Sequence, residues 1–405
     1  MAEPKVRFQR NDGNPYPALQ NAVMGDIYIE RNERGEEGLP MLTVSIHSGI
    51  SDSELDEKEL GKRVNRSTDI TLYKKAVKGD LVFNMMRAWQ GAVGSAKSTG
   101  LVSPAYIVAS PNEQIDPTFM DYYVHTRAVI NRFNRLSYGA LDFRKRLYWD
   151  SFVTTEVNIP VIEEQQKIAD FLSSVDDVIA ASEEEVANLE TQKKAVMKKI
   201  FSQEVRFEKD DGTNYPNWEE KTLGEVCEPL QYGMNAAACE YDGHNKYIRI
   251  TDIDDSTHAY IEDNVVSPTG ELSDKYLVCK GDILLARTGA STGKTYLYNE
   301  KDGRMYFAGF LIRAHVKDGF DDYFIYSQTL THAYEKWVKL TSQRSGQPGI
   351  NAEEYSGYML QIPCLEEQRI IADFLSSFDE AIAVAKKELE LWKELKKGLL
   401  QQMFV

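Results

Sequence analysis

Hydrophobic residues recur at alternating steps of four and three along two long segments, 168–200 and 371–403. This spacing is the 3.5-residue period that keeps one face of a helix against a partner helix. A lysine occupies the same heptad step in each segment, Lys193 in the first and Lys396 in the second. Two solvated helices on separate domains would also fit the pattern. Because the seams match step for step, we instead predict that the helices pair with each other. A pseudo-twofold axis relating the two halves of the chain would make them antiparallel, and we predict that orientation.

Near the start of each helix the apolar stripe is wider than contact between two helices requires. Phe171 and Val178 lie just off the first seam, and Phe374 and Ala381 just off the second. We therefore predict that helices of another chain cover this region. The residues predicted to form the coiled coil and to dock a partner are Ile168, Phe171, Leu172, Val175, Ile179, Ile371, Phe374, Leu375, Phe378 and Ile382.

Both helices begin inside a repeated sequence. Residues 159–179 read IPVIEEQQKIADFLSSVDDVI, and residues 362–382 read IPCLEEQRIIADFLSSFDEAI. A second repeat is VRFQRNDGNPYP at 6–17 and VRFEKDDGTNYP at 205–216. The period of roughly 200 residues is far longer than that of a solenoid, so two domain-sized units share one construction. The order of the repeats is circular, and we expect the two ends of the chain to lie close in space.

Between the repeats lie two divergent segments of mixed character, 18–158 and 217–361. Each alternates β-rich runs with short helical ones and carries a Lys-Gly-Asp turn before an apolar strand, at 78–82 and 280–284. The predicted fold class is α+β: two mixed globular domains separated by two long helices that form an antiparallel coiled coil, in a pseudo-twofold, circular arrangement. The predicted boundaries are 1–158 for the first domain with its VRF element, 159–204 for the central helix, 205–361 for the second domain and 362–405 for the distal helix.

The chain is acidic, with a formal net charge of −16. The excess of acidic side chains is concentrated in residues 202–361, whereas residues 1–158 are balanced. Binding to phosphate depends on the local field, so this total does not exclude a nucleic-acid partner. No segment is apolar over the ~20 residues that a membrane span needs, and the start has no apolar signal core. The four cysteines form no C-x-x-C pair, which indicates a cytosolic protein without a zinc site or a disulfide framework.

Two polar segments in each divergent unit carry residue types suited to contacting DNA. Arginine pairs with guanine and glutamine with adenine in the major groove, and in the unit at 18–158 the polar segments also contain aromatic residues. One segment follows the Lys-Gly-Asp strand, and the other lies toward the end of the unit. The candidates are Arg87, Trp89, Gln90, Tyr138, Arg144, Lys145, Arg146, Arg287, Ser291, Thr292, Lys294, Gln343, Arg344 and Gln347.

Catalytic motifs find little support in this sequence. The six histidines show no metal-ligand spacing, and neither a G-x-S-x-G elbow nor an Asn/Asp-Pro-Pro-aromatic tetrad is present. The segment RTGASTGKT at 287–295 is similar to a phosphate-binding P-loop, but three residues instead of four separate Gly289 from Gly293. We predict a polar loop that reaches nucleic acid, with nucleotide binding as an alternative.

The doubled frame, IP…EEQ…IADFLSS…D before a long helix, alternates with divergent units that carry a GD-[LI]-[VL] strand. This combination resembles the specificity subunit of type I restriction–modification systems, over essentially the whole chain. The resemblance implies two target-recognition domains, at about 18–158 and 217–361, each reading half of a split DNA sequence. It also implies that the helices at 164–201 and 367–404 are the family's paired spacer, which fixes the distance between the half-sites.

The partners are implied by the same resemblance. They are double-stranded DNA with a bipartite site, two methyltransferase subunits, and motor-nuclease subunits in the restriction complex, with no membrane. The chain itself would be non-catalytic and bind no cofactor, since S-adenosylmethionine, ATP and Mg belong to the partner subunits. A partner would flip the target adenine and methylate it. The stripe around Phe171, Leu172, Phe374 and Leu375 would dock methyltransferase helices, in the cytoplasm of a bacterium or archaeon.

An alternative function is a coiled-coil scaffold that binds only proteins. Such a scaffold would give no sequence-selective protection of DNA.

Overall fold

A computed structural model describes residues 4–46, 49–51, 69–139 and 145–404. It divides into two compact units. Unit 1 comprises residues 1–183 and 387–405, and unit 2 comprises residues 184–386. Among the described helices, none is both long and apolar enough to cross a bilayer.

The first half of the chain alternates short strands and helices before one long helix. Its strands are β1 (Gln20–Val23), β2 (Tyr28–Glu30), β3 (Val44–Ser45), β4 (Gly49–Ile50), β5 (Lys74–Ala76), β6 (Leu81–Asn84), β7 (Val93–Ser95), β8 (Gly100–Val102), β9 (Tyr106–Pro111) and β10 (Glu156–Ile159). Its helices are α1 (Met24–Ile27), α2 (Pro117–Val124), α3 (Arg127–Leu136), α4 (Trp149–Phe152) and α5 (Ile162–Phe201).

The second half repeats this plan. Its strands are β11 (Glu219–Thr222), β12 (Gln231–Tyr232), β13 (Ala238–Glu240), β14 (Lys246–Ile248), β15 (Val266–Pro268), β16 (Asp282–Ala286), β17 (Thr295–Leu297), β18 (Met305–Phe307), β19 (Leu311–His315) and β20 (Met359–Ile362). Its helices are α6 (Leu223–Val226), α7 (Asp322–Gln328), α8 (His332–Thr341), α9 (Ala352–Ser356) and α10 (Leu365–Met403).

A four-stranded antiparallel sheet forms the body of each unit, in the order β2-β9-β6-β7 in unit 1 and β12-β19-β16-β17 in unit 2. The strands β6 (LVFN) and β16 (DILLA) are buried along their whole length, in agreement with the run of three or four apolar residues in each. In unit 1 the sheet packs on α2 and α3 through a cluster that includes Phe83, Phe119 and Phe133. The predicted α+β class and both long helices are confirmed.

The shared Lys-Gly-Asp motif is a turn held by a buried carboxylate. Gly79 and Gly281 have φ of 95° and 87°, a region that favours glycine. Asp80 accepts the backbone N–H of Val77 at 2.8 Å and an Arg31 N–H at 2.7 Å. In unit 2 the matching Asp282 is fully buried and likewise accepts a backbone N–H. The motif therefore shapes the entry to the central strand.

The repeated Glu-Gln pair fastens the start of α5 to its unit. The Arg7 guanidinium donates to both carboxylate oxygens of Glu164, at 3.1 and 2.6 Å. Gln165 accepts the backbone N–H of Asp116, the N-cap of α2, at 3.0 Å and donates to the carbonyl of Pro160 at 2.9 Å. One dipeptide thus joins the VRF element, the long helix and α2.

The same junction is built again at the start of α10. Arg206 donates to both oxygens of Glu367, at 3.1 and 2.8 Å, and Glu367 is fully buried. Gln368 accepts the backbone N–H of Asp321 at 2.9 Å and donates to the carbonyl of Pro363 at 2.9 Å. The repeated Glu-Gln pair therefore forms the same junction in both units, which we call the Glu-Gln joint.

In unit 1 the two long helices run antiparallel. Glu183 on α5 pairs with Lys393 on α10 at 2.9 Å, and Asp176, earlier on α5, pairs with Lys396, later on α10, at 2.5 Å. The hydroxyl of Tyr122, on α2, donates to the same Asp176 carboxylate at 2.7 Å. The predicted antiparallel pairing is confirmed, and the seam lysine has an acidic partner.

In unit 2 the order of the ion pairs shows the same orientation. Glu190 pairs with Lys386 at 2.7 Å, and Lys193 pairs with Asp379 at 2.5 Å. The Tyr323 hydroxyl, on α7, donates to Asp379 as well. Burial raises the pKa of Tyr323, and the Asp379 carboxylate adds to this, so the phenol stays protonated as a donor. Each unit therefore contains a Lys–Asp–Tyr triad, Lys396–Asp176–Tyr122 in unit 1 and Lys193–Asp379–Tyr323 in unit 2.

The VRF elements partly cover the widened apolar stripe. The ring of Phe8 packs edge-on against Phe171 at 5.7 Å between centroids, and Phe207 packs against Phe374 at 5.6 Å. Phe171 and Phe374 keep 39% and 38% of their surface exposed. Of the other predicted seam residues, Ile168, Leu172, Val175, Ile371 and Leu375 are buried, whereas Ile179, Phe378 and Ile382 are half-buried. Docking of partner helices on this stripe stays a prediction.

The two ends of the chain meet in unit 1. The backbone N–H groups of Lys5 and Val6 donate to the carbonyl of Gln402, at 2.8 and 3.2 Å. Phe404, which follows α10, lies against the rings of Phe119 and Tyr123. The expected proximity of the ends is confirmed.

Candidate nucleic-acid interface

In unit 1 the two polar segments meet beside the loop that joins β6 to β7. The backbone N–H of Leu147, in the second segment, donates to the carbonyl of Met85, in the first, at 2.9 Å. The Lys145 ammonium lies 5.0 Å from the ring centroid of Trp89, within the range of a cation–π contact. Two segments that the sequence analysis selected separately therefore form one surface.

This surface presents several side chains to solvent. Arg87, Gln90 and Arg146 are exposed, and the half-exposed Tyr138 stacks on Tyr148 with 4.8 Å between ring centroids. The backbones of Tyr138 and Arg146 exchange two hydrogen bonds, at 3.0 and 2.9 Å, which fixes the base of the segment. The candidate Arg144 lies outside the described residues.

Unit 2 joins its two polar segments with the same backbone bond. Ile350 donates to the carbonyl of Arg287 at 2.9 Å, as Leu147 does to Met85 in unit 1. Gly289 donates in turn to the carbonyl of Pro348 at 3.0 Å. Gln343 and Gln347, from the second segment, are exposed. The corresponding segments therefore come together in both units.

Two of the cations proposed from the sequence are engaged within the protein. The Lys294 ammonium donates to the carbonyl of Ile253 at 2.7 Å and pairs with Asp255 at 2.5 Å. Only 11% of the Lys294 side chain is exposed. One guanidinium nitrogen of Arg344, Nη2, donates to both carboxylate oxygens of Glu354, at 2.5 and 2.7 Å. DNA contact by these two residues stays a prediction, and their ion pairs do not favour it.

The loop around Lys294 is fixed by other internal contacts. The Thr292 hydroxyl donates to the carbonyl of Gly289 at 2.8 Å, and Ser291 is half-buried in the turn before it. The imidazole Nδ1 of His258 lies 2.8 Å from the carbonyl oxygen of Thr295. Burial lowers the pKa of His258, partly offset by that backbone contact, so the ring is neutral at pH 7.

A phosphate-binding P-loop requires a helix directly after its glycine-rich turn. Here the turn Gly289–Ser291 leads through Gly293 into strand β17, and the backbone N–H of Gly293 donates to the carbonyl of Ala286. The segment therefore does not have the geometry of a P-loop, which does not favour the alternative of nucleotide binding through it.

One group of side chains in unit 2 has the residue types of a metal site. Ligand atoms of Cys279, Asp282 and His315 all lie within 4.8 Å of one another. However, the Asp282 carboxylate already accepts from the Cys279 N–H and contacts His315 at 2.8 Å, and the Arg313 guanidinium lies 3.7 Å away. These contacts match the turn-stabilising role of Asp80 in unit 1, so the group is explained without an ion.

Two aromatic residues around Arg287 were not predicted from the sequence. The guanidinium carbon of Arg287 lies 4.9 Å from the ring centroid of Tyr232, and its backbone N–H donates to the carbonyl of Phe310 at 3.0 Å. Tyr232 and Phe310 are 43% and 57% exposed. In the sequence, each of these two aromatic residues stands next to a glycine, within a run that otherwise resembles a buried strand. That combination was the available indication that their rings are exposed.

Comparisons with known proteins agree on one family. A family model described as "Type I restriction modification DNA specificity domain" matches residues 21–191 and again residues 215–392. The MjaVIII type I restriction enzyme specificity subunit of Methanocaldococcus jannaschii is 26% identical over 270 residues, which is 62% of this chain and 61% of that protein. The putative MjaX type I restriction enzyme specificity subunit of the same organism is 24% identical over 370 residues, 87% of this chain and 83% of that protein. The match thus spans about three fifths of the first relative's length.

Solved structures show the same fold. The S subunit of a type I restriction–modification system from M. genitalium has a TM-score of 0.62 at 14% identity, covering 100% of this chain and 99% of that one. A chain from work on complex assembly and conformational transition of the type I R-M system has a TM-score of 0.55 at 16% identity, with 96% and 98% covered. Since the family model matches most of the chain, once in each repeated half, this protein belongs to the family of type I restriction–modification specificity subunits.

Proposed function

We propose that this chain reads a bipartite DNA sequence, with unit 1 contacting one part and unit 2 the other. The observation that carries the proposal is the repeated joining of two polar segments, by Leu147 to Met85 in unit 1 and by Ile350 to Arg287 in unit 2. These two backbone hydrogen bonds are alike in the two units, whereas the segments that they connect differ in sequence. Such a division suits a frame that sets geometry and loops that read different bases.

In this proposal the chemistry belongs to partner subunits. Two methyltransferase subunits flip and methylate an adenine using S-adenosylmethionine, and motor-nuclease subunits use ATP and Mg for restriction. This chain supplies no catalytic group, and the assembly works in the cytoplasm of a bacterium or archaeon. The paired helices act as the spacer, so a correct half-site at the wrong distance loses one set of contacts.

The acidic character of the chain suggests that partners supply part of the phosphate binding. Phosphate contacts dominate the affinity of proteins for DNA, and unit 2 has a clear excess of acidic residues. We expect the isolated chain to bind its target weakly and the complex with methyltransferase to bind it tightly. An electrophoretic shift assay at a fixed salt concentration compares the two. Equally tight specific binding by the chain alone would contradict this part of the proposal.

The central test is a map of methylated adenines in cells with and without the chain, both carrying the partner methyltransferase. A single split motif that appears only with the chain is the expected result. Arg87→Ala in unit 1 should weaken protection of that motif, because it removes an exposed cation from the candidate surface. Lys78→Ala is the matched control, since Lys78 is an exposed cation at the opposite end of strand β6.

The protein-only scaffold predicts a different outcome. It gives no methylation motif that depends on the chain and no sequence-selective footprint, with or without partners. Either result obtained with a folded complex would refute the reading of DNA by this protein.

A further inference from the structure

Unit 2 contains a groove of about 710 Å³ beside the end of its central sheet. Its walls include Tyr232 and Asn235 from the segment at β12, and Arg287 and Phe310 from the ends of β16 and β19. All residues that line it belong to unit 2 and are described. The groove adjoins the polar segments of this unit through the Arg287 backbone.

Arg287 is held in place without its charge being satisfied. Its guanidinium carbon lies 4.9 Å from the Tyr232 ring centroid, and the Tyr232 hydroxyl is itself fixed by accepting the Ala352 N–H at 3.1 Å. The Nε atom of Arg287 is buried and has no hydrogen-bond partner in the described part of the chain. No ion pair of Arg287 occurs there either. A stacked guanidinium loses little further freedom when it forms a two-pronged hydrogen bond.

The lining of the groove is cationic within an acidic unit. It includes Arg287 and Arg249 but neither an aspartate nor a glutamate. The charge of Arg249 is already balanced by Asp252, at 2.7 and 2.8 Å, which leaves Arg287 as the uncompensated cation of the lining. The groove therefore favours a ligand that offers hydrogen-bond acceptors.

Aromatic edges flank this cation. Phe310 is 57% exposed and Tyr232 is 43% exposed, so both present ring surface beside the guanidinium. The wall at β12 comes so close to the neighbouring backbone that a Cβ on Gly233 would lie 2.2 Å from the Ala308 carbonyl oxygen. The groove is thus shaped by backbone as well as by side chains.

We infer that Arg287 reads a guanine in the part of the DNA target that unit 2 contacts, an inference that rests on the proposed function. Arginine presents two N–H groups that match guanine O6 and N7, and stacking on an aromatic ring orients them. Arginine also binds phosphate through two N–H groups, and a phosphate contact would instead give a uniform loss of methylation in the experiment below. Phe310 and Tyr232 provide apolar surface for the neighbouring base or sugar.

The experiment uses the full chain assembled with its methyltransferase, in a host without adenine methylation. Methylated motifs are mapped for the wild type, Arg287→Gln and Arg287→Ala. The control is Arg304→Gln, which makes the same charge change at an exposed site of unit 2 outside the groove. We expect both Arg287 variants to lose the preference for guanine at one position of one half-motif by about 10- to 100-fold, and glutamine to favour adenine there. The other half-motif should be unchanged.

Each outcome is decisive. The inference is supported if the Arg287 variants lose the preference for guanine at one position of one half-motif while the motif of Arg304→Gln is the same as that of the wild type. An unchanged motif in both Arg287 variants overturns it, and so does a uniform loss of methylation with the motif preserved, which marks a phosphate contact. If the wild type itself gives no chain-dependent motif, the proposed function fails, which is a separate result.

Discussion

The Lys–Asp–Tyr triad of unit 2 can be tested by removing its acid. In Asp379→Ala, the Lys193 ammonium and the Tyr323 hydroxyl both lose their shared acceptor. Only 11% of the Lys193 side chain is exposed, so water replaces the carboxylate poorly. The variant should therefore loosen the contact between the long helices and α7.

The size of the effect follows from the burial of the two partners. Exposed ion pairs contribute about 0.2–1 kcal/mol, and removing one partner of a fully buried pair costs about 3–5 kcal/mol. Asp379 is 46% exposed, which places this pair nearer the lower range. We expect Asp379→Ala to lower the local free energy of opening by about 1–2 kcal/mol.

Native-state hydrogen exchange measured by mass spectrometry reports this opening segment by segment. A loss of 1–2 kcal/mol corresponds to roughly 5- to 30-fold faster exchange of amides in residues 365–386. The matched variant Asp176→Ala in unit 1 should show a smaller increase in the exchange rate of the amides around its own triad. The reason is that 28% of the Lys396 side chain is exposed, compared with 11% of Lys193. Lys193→Met combined with Asp379→Leu should recover part of the protection, since an apolar pair replaces two charges.

Exchange of Asp379→Ala within twofold of the wild type over 365–386 would contradict this prediction and would mean that apolar packing alone holds this part of the seam. Faster opening of the double replacement than of the single one would contradict it as well, and would mean that an apolar pair cannot replace the ion pair there.

Three further results are expected. Arg206→Met should destabilise unit 2 by about 3 kcal/mol, seen as a lower urea midpoint, because the buried Glu367 carboxylate loses its cation and keeps the Trp218 indole N–H as a donor; an unchanged midpoint would contradict the role of the joint. His258→Asn should reduce the loss of melting temperature between pH 7 and pH 5. The pKa of His258 is lowered in the folded state, so its contribution is present above about pH 6.5 and is lost as the pH falls; equal slopes for both proteins would argue against it. Lys294→Met should lower stability by about 1 kcal/mol and leave the methylation motif unchanged, because the ammonium contacts Asp255 within the unit; an altered motif would show that Lys294 reads DNA.

The sequence was sufficient for the helices and their orientation because both are periodic. Lys193 and Lys396 occupy one heptad step, and Asp176 and Asp379 another. Parallel helices in register would bring lysine against lysine, whereas antiparallel helices bring lysine to aspartate in each unit. The tyrosine of each triad could not be predicted, since Tyr122 and Tyr323 come from α2 and α7, far away in the sequence.

The candidate interface was predictable only in part, for a related reason. Residue type selected Arg87 and Arg287 as candidates, and it selected Lys294 and Arg344 as well, although these two form ion pairs within the protein. Their acidic partners are set by the path of loops and not by periodicity, as the 39-residue separation of Lys294 from Asp255 shows. The groove around Arg287 depends on the approach of β12 to the end of β19, which no local pattern encodes.

The two Glu-Gln joints have a consequence for how such a protein changes over time. Their bonds, from Arg7 to Glu164 and from Arg206 to Glu367, are closed within each unit and do not involve the polar segments. A mutation or recombination event that replaces those segments therefore leaves the joints intact. The polar segments can therefore change in sequence while the contacts that fasten each long helix to its unit stay the same.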